Sequence, residues 1–284
     1  MDNTADNRQI VLEIVLYGLH IPPEVYKLRY DLFLKAAKFH FRCSTPSEVL
    51  EPFPNCFYDT ETKTRRYDEL KECVENISKS NIIYSLTDTT QLPEQTWALL
   101  CWIFTNPLNI EVVKESETSV YLSDVLREKT KLLSIPNPSC SCTRFDITHT
   151  DEIRKKIFLA HKAEYGSFFA YHGSPGQNFH SIMHRGLRSS LNVRSSYGSG
   201  TYLTSNLNTA SRYSHQKQGR MSYCVAIVEV IKHPSITVVT RDKTSEDSLS
   251  SPSTESVSIN SSCKQYYVVD SDELMRLRHL LVFY

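Results

Sequence analysis

The stretch from Gly166 to Tyr213, GSFFAYHGSPGQNFHSIMHRGLRSSLNVRSSYGSGTYLTSNLNTASRY, decides the fold, because in it an apolar run breaks off in His-Gly-Ser and a later Gly-Ser-Gly turn delivers Thr-Tyr-Leu-Thr. Phe168, Phe169, Ala170 and Tyr171 form a short, aromatic-rich run suited to a buried strand. Gln177 to Arg185 sets Phe179, Ile182 and Met183 on one helical face, and Gly186 is the expected helix stop. Gly198 and Gly200 flank Ser199 just before Tyr202, so the backbone turns tightly there and a ligand can approach with no Cβ in its way. Asn206 to Ser214 opens on an Asn cap and reads as a short helix. The unit is strand, helix, loop, strand, with its chemistry at the strand ends, a layout suited to a nucleotide.

Working outward, Tyr223–Ile231 and, past Pro234, Ile236–Val239 are β-rich runs that extend a sheet. Thr244–Ser262 is dominated by serine and threonine, with a Ser251-Pro252 step, and is expected to be a mobile loop that adds little to a core. On the other side, Thr143–His149 alternates polar and apolar residues and predicts a strand with Phe145 and Ile147 facing inward. The prolines in Ser134–Ser141 mark a linker. Before it the pattern is helical. Leu70, Cys73, Val74 and Ile77 fall at helical spacing, as do Trp97, Leu100, Cys101 and Phe104, while Val25, Leu28, Leu32 and Phe39 make a looser stripe. Prolines at Pro22-Pro23, Pro46, Pro52 to Pro54 and Pro107 separate the helices. Two domains are expected, a helical one over 1–135 and a catalytic one over 136–284 carrying the Ser-rich loop 244–262.

Composition excludes some functions. Lysine plus arginine equals aspartate plus glutamate at 32 each, so no bulk field draws in nucleic acid. The basic cluster Arg154, Lys155, Lys156 is short and reads as a solvated helix face. Eight cysteines lie scattered without paired CxxC spacing, and Cys140-Ser-Cys142 is too tight and isolated to hold zinc by itself; reduced thiols and no metal are expected. No secretory signal opens the chain and no run reaches membrane-spanning length, so it reads as soluble and cytoplasmic.

His-Gly-Ser after an aromatic strand, Gly-x-Gly-Thr-Tyr-Leu-Thr thirty residues on, and Lys-Gln-Tyr-Tyr-Val-Val-Asp before a terminal apolar strand together resemble the catalytic domain of the poly(ADP-ribose) polymerase family. The likeness is nearest to the family's tail-anchored, mono-ADP-ribosylating branch of the endoplasmic reticulum, and it covers roughly residues 142–284. The resemblance implies an α+β fold: an N-terminal helical domain packed on a mixed, mostly antiparallel, two-sheet ADP-ribosyltransferase domain. It also implies NAD+ as co-substrate and a site at the cytosolic face of the endoplasmic reticulum or nuclear envelope. Membrane contact would come only through a C-terminal tail that this sequence does not contain.

Residue by residue, the resemblance makes His172 the partner of a ribose hydroxyl and the Gly173 backbone the partner of the nicotinamide carboxamide. Tyr202 and Tyr213 would sandwich the flat pyridinium, each face adding about 1 kcal/mol or more once water is excluded. Many members carry a serine where this chain has Ala210, so Ser211 or Ser174 is needed to replace its contact. Chain-elongating members carry glutamate where Tyr266 falls. A phenol near pKa 10 cannot replace that base at neutral pH, and the adjacent Tyr267 supplies no carboxylate either. The implied triad is His172, Tyr202 and Tyr266, and the implied activity is transfer of one ADP-ribose unit to protein acceptors, itself included. Two other readings stand beside it. The chain is an NAD-binding pseudoenzyme serving as a partner-binding module, or an RNA 2′-phosphate-transferring enzyme, which would want a basic groove.

Overall fold

The computed structural model describes residues 4–18, 21–43, 48–80, 92–113, 142–149, 151–191, 197–214, 222–241 and 264–284. The linker 134–141 and the Ser-rich loop 244–262 lie outside them. In chain order the elements are α1 (Thr4–Tyr17), α2 (Pro23–His40), β1 (Tyr58–Asp59), β2 (Thr64–Arg65), α3 (Tyr67–Lys79), α4 (Glu94–Thr105), β3 (Asn109–Val113) and β4 (Cys142–Thr148). There follow α5 (Glu152–Tyr165), β5 (Ser167–Gly173), α6 (Phe179–Arg185), β6 (Thr201–Thr204), α7 (Leu207–Ser214), β7 (Tyr223–Ile231), β8 (Thr237–Arg241), β9 (Lys264–Val269) and β10 (Met275–Phe283). The α+β reading stands. Contacts divide the chain into two compact units: Met1–Val112 with Ile147–Thr150 and Pro175–Arg185, and Val113–Asp146 with Asp151–Ser174 and Gly186–Tyr284.

The first unit is helical. Pro22 and Pro23 start α2, where a fixed φ suits the first turn and a missing N–H costs nothing. Its expected stripe is buried at Val25, Leu28 and Leu32, but Phe39 is only half-buried and Tyr26, Tyr30, Phe33 and Leu34 are buried too. A helix covered on most sides is the centre of its unit. The faces predicted for α3 (Leu70, Cys73, Val74, Ile77) and α4 (Trp97, Leu100, Cys101, Phe104) join the same core.

Helix α6 belongs to this unit as well. The His180 Nε2 lies 3.2 Å from the Pro52 carbonyl, Arg185 pairs with Glu51 at 2.9 Å, and Phe33 meets the His180 ring edge-on at 5.4 Å. Burial pushes the His180 imidazole down to about 4, against the Pro52 carbonyl and Glu51, and pushes His184 to about 2, helped by His180, Arg29 and His149. Both are therefore neutral in the fold and protonate readily once unfolded. Their contribution to stability is complete above the ordinary histidine value of 6.5 and is lost as pH falls through the folded values. We expect the helical unit to lose about 2–3 kcal/mol between pH 7 and 4.5 from His180 alone. Urea denaturation across that range should show the loss, and His180→Gln should flatten it; an equal slope in both proteins would refute the assignment.

In the second unit the strands run in the order β4-β10-β7-β5-β6-β9-β8, and the described pairings are antiparallel. The long apolar run of β7, broken only at Glu229, is explained by its place between β10 and β5, where both faces are covered. Among the described residues Tyr171 and Thr204 are the one pair that joins β5 to β6, so the sheet nearly parts there into two sections. Helix α7 covers one face, with Leu207 and Ala210 packed among Tyr171, Val225, Ile227, Leu281 and Phe283. At the start of α5, Asp151 caps the Ile153 and Arg154 amides, and Arg154 and Lys155 pair with Asp151 and Glu152 in solvent, which is the solvated face expected of the basic cluster. Cys43, Cys56, Cys73, Cys101, Cys142 and Cys224 are free thiols.

Candidate active site

His172 comes from the C-terminal end of β5, and its Nδ1 lies 3.0 Å from the Tyr202 backbone carbonyl on β6. A carbonyl only accepts, so Nδ1 carries the proton and donates. The ring is buried, and burial pulls its pKa below the ordinary histidine value despite that carbonyl. The imidazole is thus neutral at pH 7, with Nε2 left as an acceptor. No protein donor among the described residues takes it.

Gly173 is fixed by a close approach. A Cβ there would lie 1.8 Å from the Ala210 carbonyl oxygen, so α7 rests directly on the β5 backbone, an approach that only glycine permits. One residue on, the Ser174 amide donates to Ser214 Oγ at 3.2 Å, and the hydroxyl of this buried serine donates to the Ala210 carbonyl at 3.4 Å. The last turn of α7 is in this way locked to the His-Gly-Ser corner. Tyr213, in that same turn, has 52 % of its surface exposed, and its ring meets no other ring among the described residues. Ser211 and Ser174, the hydroxyls proposed to replace the serine missing at Ala210, are both buried as deeply as His172.

Tyr202 pairs with Val268 and Thr204 with Tyr266 in the β6–β9 register, which puts Tyr202 and Tyr266 on one face of the sheet. Tyr267 points the other way. It is buried against Phe168 at 4.7 Å and donates to Gln265 Oε1 at 2.7 Å. The entry to β9 is held in place because the Gln265 carbonyl accepts from the Ser205 amide and the Thr204 hydroxyl, both at 3.0 Å. The Tyr202 hydroxyl is engaged within the turn: it accepts from the Tyr197 amide at 2.8 Å and donates its only proton to the Gly198 carbonyl at 2.7 Å. What Tyr202 offers a ligand is its ring. The sheet thus brings His172, Tyr202 and Tyr266 onto three neighbouring strands, while Gly173, Ser174 and Tyr213 gather where β5 meets α7. Sequence reasoning missed Tyr197 and Ser214. Each sits beside a residue already singled out, Tyr197 before the Gly-Ser-Gly turn and Ser214 after Tyr213, but no spacing rule marks either.

A neutral imidazole with a free acceptor nitrogen, a glycine corner and an exposed aromatic ring suit a dinucleotide whose ribose donates and whose base stacks. The class to which this antiparallel fold belongs, the ADP-ribosyltransferases, is shown by the family match. Residues 136–284 match the poly(ADP-ribose) polymerase catalytic domain, and residues 24–104 match the ARTD15 N-terminal domain. The chain belongs to the poly(ADP-ribose) polymerase family, whose substrate is NAD+. It is 32% identical over 273 residues to the protein mono-ADP-ribosyltransferase PARP16 of Mus musculus, a span of 90% of this chain and 78% of that protein. To PARP16 of Homo sapiens it is 31% identical over 266 residues, with the same coverage of each. The mono-ADP-ribosyltransferase PARP8 of Mus musculus is 24% identical over 253 residues, covering 72% of this chain and 28% of that protein.

Proposed function

We propose that this chain transfers one ADP-ribose unit from NAD+ to a protein side chain and releases nicotinamide. The observation that carries the one-unit limit is the pairing of Tyr266 with Thr204, which sets a phenol on the face shared with Tyr202; by the resemblance, this is the position at which an elongating enzyme carries a carboxylate. Nicotinamide leaves C1′ as a neutral molecule, taking the electron pair of the broken bond, so it needs no general acid. His172 accepts from a ribose hydroxyl through Nε2, Gly173 offers its backbone to the carboxamide, and the rings of Tyr202 and Tyr213 hold the pyridinium. Positioning supplies most of the rate. An acceptor carboxylate attacks without losing a proton, whereas a lysine or serine needs a base that His172, Tyr202 and Tyr266 do not provide. Acidic side chains are therefore the favoured acceptors, those of the enzyme itself among them, and nucleic acid is not.

The resemblance to the tail-anchored branch supports a location at the cytosolic face of the endoplasmic reticulum or nuclear envelope. Among the described residues no helix is long and apolar enough to cross a membrane. Incubation with labelled NAD+ is expected to label protein as a single mass increment, removable by hydroxylamine if the link is to a carboxylate. His172→Ala should reduce labelling by about 100-fold or more, as expected when a positioned donor–acceptor pair is removed from a reacting substrate. Ladders of higher mass would refute the one-unit limit, and an active His172→Ala would refute the assigned site.

A further inference from the structure

Tyr197 has no role in the scheme above, yet it touches two members of the implied triad, Tyr202 and Tyr266. Its amide donates to the Tyr202 hydroxyl at 2.8 Å. Its ring centroid lies 6.4 Å from that of Tyr202 and 6.5 Å from that of Tyr266, with interplanar angles of 34° and 36°. Both separations fall within the range of favourable aromatic contact. Tyr197 therefore stands between two tyrosines that come from different strands and make no ring contact with each other among the described residues. The turn that carries it is fixed, because the Tyr202 hydroxyl bonds both the Tyr197 amide and the Gly198 carbonyl.

The chemistry of a site without a base gives this ring a use. Once the bond from C1′ to nicotinamide weakens, a protein carboxylate competes with water for the same carbon. A glutamate at position 266 would activate an acceptor but would also bring its own hydration shell. Three adjoining rings supply no base, and their apolar faces hold water less well than a carboxylate does. Resting on the proposed transferase function, we infer that Tyr197 is a positioning residue that joins Tyr202 and Tyr266 into one aromatic wall and sets the partition of the reaction between protein acceptor and water. In transfer, the C1′–nitrogen bond breaks with its pair going to nicotinamide, and a carboxylate oxygen bonds C1′. In hydrolysis the same bond breaks, a water oxygen bonds C1′, and its proton goes to solvent.

Nicotinamide release counts both outcomes and protein-bound ADP-ribose counts only the first, so their ratio reports the partition and does not depend on how much of a variant is folded. Tyr197→Phe keeps the ring and the backbone amide and should hold the ratio within about twofold of the parent. Tyr197→Ala should raise nicotinamide released per ADP-ribose attached by about fivefold or more, the size expected when aromatic contacts and water exclusion are lost together. A purely structural role would lower release and attachment in step, and an unchanged ratio in Tyr197→Ala overturns the inference. Should the parent protein release no nicotinamide at all, it is the transferase function that fails. Calorimetric NAD+ binding then decides the ring: a Kd weakened by about fivefold in Tyr197→Ala and not in Tyr197→Phe supports the wall, and equal affinities reject it.

Discussion

Replacing Gly173 with alanine is expected to abolish NAD+ turnover and to lower the melting temperature of the protein. The added methyl would sit 1.8 Å from the Ala210 carbonyl oxygen, 2.6 Å from its carbon and 3.0 Å from its Cα, all backbone atoms of a helix that is itself packed on the sheet. No rotamer relieves a clash with backbone, so α7 must move. Overpacking of this kind costs about 3 kcal/mol or more, which for a chain of this size lowers Tm by roughly 6–12 °C. The activity loss should exceed what instability explains. Moving α7 displaces Tyr213 and breaks the bond from the Ser174 amide to Ser214, and a misplacement near 1 Å costs about 100-fold in rate. Gly176→Ala is the control. A Cβ there would meet only the Lys35 side chain, at 3.3 Å, which can swing away. Turnover by Gly173→Ala within about threefold of the parent at a temperature where both are folded would show that the corner tolerates the displacement.

The legible parts of this fold are those where one face of an element meets one environment. The faces of α3 and α4, the strand through Phe145 and Ile147, and the long apolar run of β7 all declare themselves by periodicity or its absence. Helix α6 did not. Its apolar residues Phe179, Ile182 and Met183 predict one buried face, but His180 and Ser181 are buried with them, and a helix enclosed partly by polar side chains looks amphipathic in sequence. Its membership of the helical unit rests on bonds to Pro52 and Glu51, more than 120 residues away, which no local pattern encodes.

At the candidate site the contrast has the same cause. The Asn cap at Asn206, whose Oδ1 accepts from the Thr209 amide at 2.9 Å, and the glycine turn before Tyr202 are local and could be read directly. The choice between Tyr266 and Tyr267 is a matter of register, since adjacent residues on a strand face opposite ways, and register is set by the pairing partner. The engagement of the Tyr202 hydroxyl depends on the turn's own conformation. It shifts the weight of the site from hydroxyl chemistry to aromatic surface.

Glu229 carries the second large effect, and sequence alone conceals it as a lone interruption in an apolar strand. Its side chain is only 2% exposed, yet Lys162 Nζ lies 2.6 Å and Arg278 Nη2 2.7 Å from its oxygens, and the Ser167 hydroxyl donates at 2.7 Å. One carboxylate thereby ties α5, β5 and β10 to β7. Burial alone would raise its pKa; the bonds from Lys162, Ser167 and Arg278 outweigh burial and hold it below the usual 4.5. Glu229→Gln keeps the shape and removes the charge. The two cations are partly solvated and can rehydrate, so the loss should fall at the lower end of that for a broken buried pair, about 3 kcal/mol at pH 7. Because the folded pKa is depressed, the stabilisation is complete above 4.5 and is lost as pH falls through the folded value. The gap in unfolding free energy between parent and Glu229→Gln should accordingly narrow from pH 7 toward pH 3, while NAD+ turnover well below both melting temperatures stays near that of the parent. A gap that is constant with pH would mean that the charge of Glu229 contributes nothing to holding these elements together.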